Sequence, residues 1–331
     1  MNTKVSVLIP IYNVSDFIEK SAISLFEQTF ISDIEYIFVN DATPDDSLVK
    51  LEKIINAYPN RKNQIRILHH KENKGLAVAR NTALNASKGD YIAVVDSDDY
   101  IEPNMIELLY KKAISENADV VVSDIYVEYK SKQNYIHEDL DAIKSNYFLG
   151  MLENKYVNSF LCNKLIKRNL YLNPECRVPE GLNLYEDRYV MTRIFYFAKK
   201  IVKFDGAFYH YVKTNPNSIT QNKSTMHFEN IISFWKSLEE FLVRHGLYMI
   251  YKDYIDLAKV EDKVNLVLNI HTSTTLRKSY ANIFHEEETK YLHKFHKGKK
   301  LMIILIRNKL WGLVELFHLL NRLKHKLTIA K

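Results

Sequence analysis

Five short apolar runs rich in Val and Ile punctuate the first 125 residues: VSVLIP (5–10), EYIFV (35–39), IRIL (65–68), YIAVV (91–95) and DVVVS (119–123). Runs that are apolar almost throughout, rather than alternating, predict strands covered on both faces, as in a parallel sheet. Between them, apolar positions recur at steps of three and four over 15–26, 47–58, 76–87 and 104–117, which predicts helices. Asp46 or Ser47 suits the start of the second helix, and Pro103 enters the fourth. Alternation of the two periods predicts an α/β fold: a mostly parallel, Rossmann-like sheet with right-handed crossovers and helices on both faces.

The pattern then changes. Residues 126–224 predict an α+β continuation, with helices near 147–155 and 187–199 and a strand pair around IVKFDGAFYHYV (201–212). From about Met226 the spacing is helical, as in ENIISFWKSLEEFLV and KVEDKVNLVLNI. The expected division is 1–224, with halves 1–125 and 126–224, followed by a helical region 225–331.

Open α/β sheets bind ligands outside the carboxyl ends of their strands. The segments leaving the first four strands are PIYN (10–13), NDATPDDS (40–47), HHKENKGLAVARN (69–81) and DSDD (96–99), all polar and rich in turn residues. Their convergence on one rim predicts a binding or catalytic site. Asp96, Asp98 and Asp99 crowd negative charge into four positions, and like charges that close disfavour each other's ionised forms. A solvated turn with a helix cap is one account. The other is a divalent cation, Mg²⁺ or Mn²⁺, which takes carboxylate oxygens and shares its coordination with ligand phosphates. No P-loop is present, and NKGLA is not a dinucleotide fingerprint, so kinase and dehydrogenase chemistry fall away.

Composition changes the picture in one place. With 47% hydrophobic and 26% charged residues, the 331-residue chain is globular in character, without repeats or low-complexity tracts. Cys162 and Cys176 form neither a metal spacing nor a disulfide framework and read as reduced, buried thiols. The opening MNTKVSVLIPIYN lacks the features of a signal peptide, and the expected location is the cytoplasm. The net charge of +6 is not evenly spread. From Lys290 to Lys331 eleven basic residues stand against Glu315, a balance of +10, leaving 35 basic and 39 acidic residues elsewhere. Such asymmetry points to a surface-binding end, on anionic membrane or nucleic acid.

VSVLIPIYN, VNDATPDDS, NKGLAVARN, DSDD and a later YEDRYV stand in an order and spacing that resemble the family-2 glycosyltransferases, inverting enzymes of the GT-A fold that use nucleotide-sugar donors. The resemblance covers roughly residues 4–220 and makes 1–125 the nucleotide-binding half and 126–224 the acceptor half. It implies that Pro10, Tyr12 and Asn13 form part of the nucleobase pocket, with Tyr12 against the base. Asp41 would accept the uracil N3–H, favouring a UDP-sugar. Gly75 would let the backbone approach the nucleoside, and Arg80 would brace carboxylates or phosphates. Asp96, Ser97 and Asp98 would hold ribose and metal, with Asp96 and Asp98 as metal ligands. The chain departs from the commonest second motif, two aspartates before Gly-Ser, by having Asn40, Asp41 and Ala42.

An inverting transfer needs one general base to take the acceptor hydroxyl's proton. The resemblance assigns that role to Asp187, with Glu186 binding the acceptor or orienting its neighbour; acids at a helix start also suit the helix dipole. YHYVKTNPNSIT (209–220) resembles the family segment that closes over the diphosphate. There His210 would be a third metal ligand, and Lys213 and Ser218 would contact phosphate. Cys162 and Lys164, in LCNKLIKRN, fall near the acceptor side, with no chemistry assigned.

The expected function is inverting transfer from a nucleotide-sugar to a saccharide hydroxyl, with a lipid-linked acceptor, in polysaccharide synthesis. Two other readings fit part of the pattern. A non-catalytic sugar-nucleotide or glycan module would keep the rim without needing Asp187, and a nucleotidyltransferase would release pyrophosphate. The stretch 299–327 predicts a basic amphipathic helix suited to the inner face of the cell membrane. Packing on the enzyme or on a second copy, giving a homo-oligomer, is the alternative. Nucleic acid is disfavoured because no groove-reading motif accompanies the charge.

Overall fold

The computed structural model describes residues 3–219, 225–269, 278–279, 281–317 and 319. The chain divides into two compact units, Met1–Asn222 and Lys223–Lys331.

In the first unit the continuous apolar runs become β1 (Val5–Ile11), β2 (Ile34–Asn40), β3 (Ile65–His69) and β4 (Tyr91–Val94), with α1 (Ile18–Phe26), α2 (Ser47–Ala57) and α3 (Leu76–Ala86) between them. β1 pairs in parallel with β2 and β4, and β2 with β3. Every residue of β1 is buried. Val5, Val7, Ile9 and Ile11 enter the same cluster as Ile18, Ala22 and Leu25 of α1 and Leu51 of α2. The alternate positions face the other side, where α3 packs on β1 and β2. Its buried face is made of Ala77, Ala79, Ala83 and Leu84, small enough for a close approach to the sheet.

After β4 the chain runs through β5 (Tyr100–Ile101), α4 (Met105–Ser115), β6 (Val120–Glu128), β7 (Gln133–Ile136), α5 (Tyr147–Glu153), β8 (Lys164–Lys167), α6 (Arg168–Tyr171), α7 (Glu186–Phe197) and β9 (Ile201–Val212). The nine-stranded sheet has the order β3-β2-β1-β4-β8-β6-β9-β5, with β7 alongside β6. The run 119–123 therefore does not continue the parallel sheet beside β4. β8 lies between them, antiparallel to both β4 and β6, while β6 and β9 are parallel. The sheet is parallel in its first half and mixed beyond. The strand pair expected over 201–212 is one long strand, whose register with β6 shifts around Ser123–Ile125, opposite Phe204–Tyr209.

The second unit is helical, with α8 (Thr225–Arg244), α9 (Tyr248–Asn269) and shorter helices His285–Tyr291 and Lys297–Arg307. The single helix expected over 299–327 is interrupted. Lys297–Arg307 ends in a turn where Lys309 takes a φ of 56°, and helix resumes over 311–317. Residues 320–331 lie outside the described residues. Among those described, no helix is long and apolar enough to cross a membrane.

Candidate active site

At the carboxyl end of β4 one guanidinium gathers three carboxylates. Arg80, on the second turn of α3, is 3% exposed. Its Nη2 donates to Asp96 Oδ1 at 2.8 Å, and its Nη1 donates to Glu186 Oε1 at 2.8 Å and Asp187 Oδ1 at 2.6 Å. Three segments thus meet: the helix after β3, the turn after β4, 16 residues from Arg80, and the first turn of α7, more than a hundred residues from it. Tyr185, immediately before α7, has a φ of 67°, a left-handed conformation that costs energy for a side chain of this size. It brings two successive carboxylates, Glu186 and Asp187, to one cation.

One positive charge among three carboxylates cannot neutralise them all. Burial, then the neighbouring Asp187, pushes the Glu186 carboxyl up to about 8. Burial also raises Asp187, with Asp96 adding to the shift while Arg80 opposes it. The other oxygen of Asp187, Oδ2, accepts the Leu161 N–H at 3.3 Å. Asp187 is gripped from both sides, yet its side chain keeps 22% exposure. A held, partly accessible carboxylate with increased basicity is suited to accept a proton.

The DSDD turn separates its aspartates by role. Asp99 is 1% exposed. It accepts the Tyr209 hydroxyl at 2.6 Å and the Val212 N–H at 2.7 Å, tying the turn to β9. The same hydroxyl receives the Asp96 N–H. Burial, then Asp98 and Asp96, raises the Asp99 carboxyl well above its ordinary value. Asp98 accepts the Asn215 side-chain amide at 2.8 Å, and burial, followed by Asp96, raises its pKa. Asp96 and Asp98 are only partly buried, whereas Ser97 is buried between them. Two hard oxygen donors with unfavourable mutual charge fit Mg²⁺ or Mn²⁺. No group of three or more His, Cys, Asp or Glu side chains that could hold a metal ion is gathered among the described residues.

His210 does not join this pair. Its imidazole is stacked between Tyr100, at 4.2 Å, and Tyr126, at 4.9 Å. Both ring nitrogens meet carboxylates, Glu128 at 2.7 Å and Glu102 at 2.8 Å. Successive strand residues point to opposite faces; Tyr209 points toward the aspartates, so His210 points away. The expected third metal ligand is a structural element of the β5–β9 edge. Lys213 donates to the Tyr211 hydroxyl at 2.8 Å. Burial lowers its pKa while Asp99 and Asp98 pull it upward. Ser218 lies in the turn closed by its N–H to the Asn215 carbonyl.

On the donor side, Tyr12 is 46% exposed at the end of β1, while Pro10 is buried inside that strand. Asn13 takes a φ of 54° and its N–H meets Thr43 Oγ1, joining the first loop to the second. Asp41 is not presented to a base. It is 2% exposed, and its oxygens take the Lys74 N–H, the Gly75 N–H and His70 Nδ1 at 2.6–2.9 Å. Its work is to hold the approach to α3. Gly75 is closely approached by another side chain: a Cβ there would fall 2.5 Å from Asn183 Nδ2. Asn183 Oδ1 in turn accepts the Ala77 N–H in the first turn of α3.

Sequence reasoning missed Asp45, Asn183, Tyr209 and Asn215. Asp45 links the first two loops through Ser15 N, Thr43 Oγ1 and Ser47 Oγ. Tyr209 was findable from strand alternation; Asn183, isolated in an irregular segment, carried no local signal.

A parallel α/β half joined through an antiparallel strand to a second half, with paired carboxylates at the strand ends, is the architecture of a GT-A glycosyltransferase. The sequence matches the family model for Glycosyl transferase family 2 over residues 6–175, just over half of its length, and the chain belongs to that family. It is an enzyme of the glycosyltransferase class. EpsJ of Bacillus subtilis (strain 168), described as an uncharacterized glycosyltransferase, is 28% identical over 334 residues, covering 95% of each chain. Chondroitin synthase of Pasteurella multocida (strain Pm70) is 37% identical over 112 residues, 34% of this chain and 11% of that protein. Among solved structures, Staphylococcus aureus TarS (1–349) with UDP-GlcNAc has the same fold, with a TM-score of 0.58 at 18% identity, over 92% of this chain and 79% of that one.

Proposed function

We propose that this protein transfers a sugar, with inversion, from a UDP-sugar to a hydroxyl of a saccharide acceptor during polysaccharide synthesis. The observation that carries the reading is the Arg80 cluster. One guanidinium fixes Asp96, on the donor side, and Asp187, on the acceptor side, in a single bonded group. Asp187 takes the acceptor hydroxyl's proton as that oxygen bonds to the anomeric carbon and the bond to the departing diphosphate breaks. Glu186, holding its own proton near neutrality, keeps Arg80 and its neighbour in place. Tyr12 offers an exposed aromatic face to the nucleobase, and Lys213, within electrostatic reach of Asp98 and Asp99, would contact phosphate. With Asp41 turned inward, the choice of uridine rests on likeness to TarS, solved with UDP and UDP-GlcNAc. Polysaccharide synthesis rests on relatives such as chondroitin synthase.

Enzymes of this family typically use a divalent cation. Asp96 and Asp98 are the residues that would hold one here, where it would offset negative charge growing on the diphosphate. The first 224 residues would carry donor and acceptor chemistry. The helical remainder would bring the enzyme to an anionic lipid surface, the inner face of the cell membrane, where a lipid-linked acceptor is met.

UDP release from UDP-glucose, UDP-galactose and UDP-GlcNAc with Mn²⁺ tests the proposal. The parent releases UDP from at least one donor, and Asp98→Ala and Asp187→Asn lower that release by about 10²-fold or more. Asp187→Asn retains UDP binding. Absence of release by the parent points to a non-catalytic module, and pyrophosphate in place of UDP points to a nucleotidyltransferase.

A further inference from the structure

Lys164 opens β8 with its ammonium group fully buried, and the transfer chemistry above makes no use of it. Its Nζ donates to three acceptors: the Asn158 carbonyl at 2.8 Å, the Phe160 carbonyl at 2.7 Å and Asn163 Oδ1 at 2.8 Å. The balancing charge is equally buried. Glu138, 0% exposed, accepts the Asn158 N–H at 2.6 Å, the Asn158 side-chain amide at 3.2 Å and the Asn163 side-chain amide at 3.1 Å. Asn163 also donates to the Ser123 carbonyl at 2.6 Å and so ties the group to β6.

All of these bonds converge on residues 158–164, a segment without regular structure until β8 begins. Two buried charges are costly unless geometry is good and remaining polar atoms are satisfied. Here they hold a short irregular loop in one conformation. The Leu161 N–H, inside that loop, is the donor to Asp187 Oδ2 at 3.3 Å. Arg80 controls the other oxygen.

We propose that Lys164, with Glu138, is a positioning residue for the general base: it ties the 158–163 loop so that the Leu161 N–H fixes the direction of the Asp187 carboxylate. The proposal rests on Asp187 being the base. Arg80 alone would anchor one oxygen and leave the carboxylate free to turn, and the second tether removes that freedom. Catalysis depends steeply on such placement. Lys164 and Glu138 themselves bond to residues 158–163 and to none of the donor loops, so their loss acts on turnover more than on binding of UDP.

Lys164→Met keeps the side chain's length and removes its donors. Its expected signature is amide hydrogen exchange quickened by about tenfold or more across 158–163, with α3 unchanged. UDP release from the parent's best UDP-sugar falls by about 10- to 100-fold in kcat, while KM and the Kd for UDP stay within about twofold. Unchanged exchange in 158–163 overturns the proposal. So does quickened exchange with kcat within about twofold of the parent, or a loss of UDP affinity as large as the loss of kcat. Should Lys164→Met fail to fold, Glu138→Gln/Lys164→Met removes both buried charges together and is read against the same outcomes. Asp187→Asn is measured in parallel. Retained turnover there refutes the base assignment, while the exchange result still decides the tether.

Discussion

At the scale of single residues, the consequential fact is charge imbalance around Arg80. Three carboxylates meet one guanidinium in a site where Arg80 is 3% exposed, and its Nε is buried without a hydrogen-bond partner. Excess negative charge in such a place is relieved by retaining a proton, and Glu186 is where it settles, with a pKa of about 8. The consequence for stability has a definite sign. In the unfolded chain a glutamate releases its proton near its ordinary value, about 4.3; in the folded protein Glu186 keeps it to about 8. Between those values the folded state binds more protons, so stability falls as pH rises, by up to about 1.4 kcal/mol per pH unit from this group. Urea denaturation of the parent and of Glu186→Gln between pH 5 and 8 measures it. The variant, fixed in the neutral form, loses less stability across that range; parallel curves would place the proton elsewhere.

Secondary-structure elements divide sharply into those the chain announces locally and those it does not. β1, β2, β4 and helices α1–α4 are legible because continuous Val/Ile runs and three- and four-residue steps are local consequences of burial on two faces or one. β8 is not. It enters the sheet between β4 and β6 from more than thirty residues beyond β6, and nothing in KLIK specifies antiparallel pairing with both. The candidate site follows the same rule. Arg80, Asp96, Glu186 and Asp187 meet in one hydrogen-bonded group, and Asp98 lies in the same turn as Asp96. His210 was misjudged because the strand's alternation, set by Tyr209 reaching Asp99, decides its face. The partners of Asp41 and Gly75, the Lys74 and Gly75 N–H groups and the Asn183 side chain, are supplied by tertiary approach and leave no local signal. The approach to α3 can be tested at Gly75. Its φ of 85° and ψ of 164° belong to a region essentially restricted to glycine, and a Cβ would press on Asn183. Gly75→Ala should cost about 1–3 kcal/mol in urea denaturation, with Gly75→Ala/Asn183→Ala recovering only the steric part. An unshifted midpoint would mean that the backbone there is not held.

For the whole molecule, what matters is how its charge and its exposed apolar surface are distributed. The balance of +10 beyond Lys290 coincides with a row of apolar side chains that the described fold leaves uncovered. Met302, Ile303, Leu305 and Ile306 are buried, whereas Leu301, Ile304, Leu310, Leu313, Leu316 and Leu319 are each 36% or more exposed. Lys297, Lys300, Arg307 and Lys309 are exposed beside them. Apolar side chains alone would suit a second copy of the chain as well as a lipid surface. The accompanying positive charge would repel a second copy and favour anionic lipid, by about 1 kcal/mol per Lys or Arg near the surface. The turn at Asn308–Leu310 interrupts this segment, and among the described residues no helix is long and apolar enough to cross a membrane. The 331-residue chain should therefore sediment with phosphatidylglycerol-containing vesicles, less so at high salt, and poorly with phosphatidylcholine alone. Leu313→Glu/Leu316→Glu removes two exposed leucines without touching the buried side. At about 1.5 kcal/mol or more for each leucine buried, it should weaken vesicle binding by about 100-fold, with UDP release from donor unchanged in solution. Equal sedimentation of parent and variant would remove the lipid surface from the account, and a change from dimer to monomer without vesicles would put a second copy in its place.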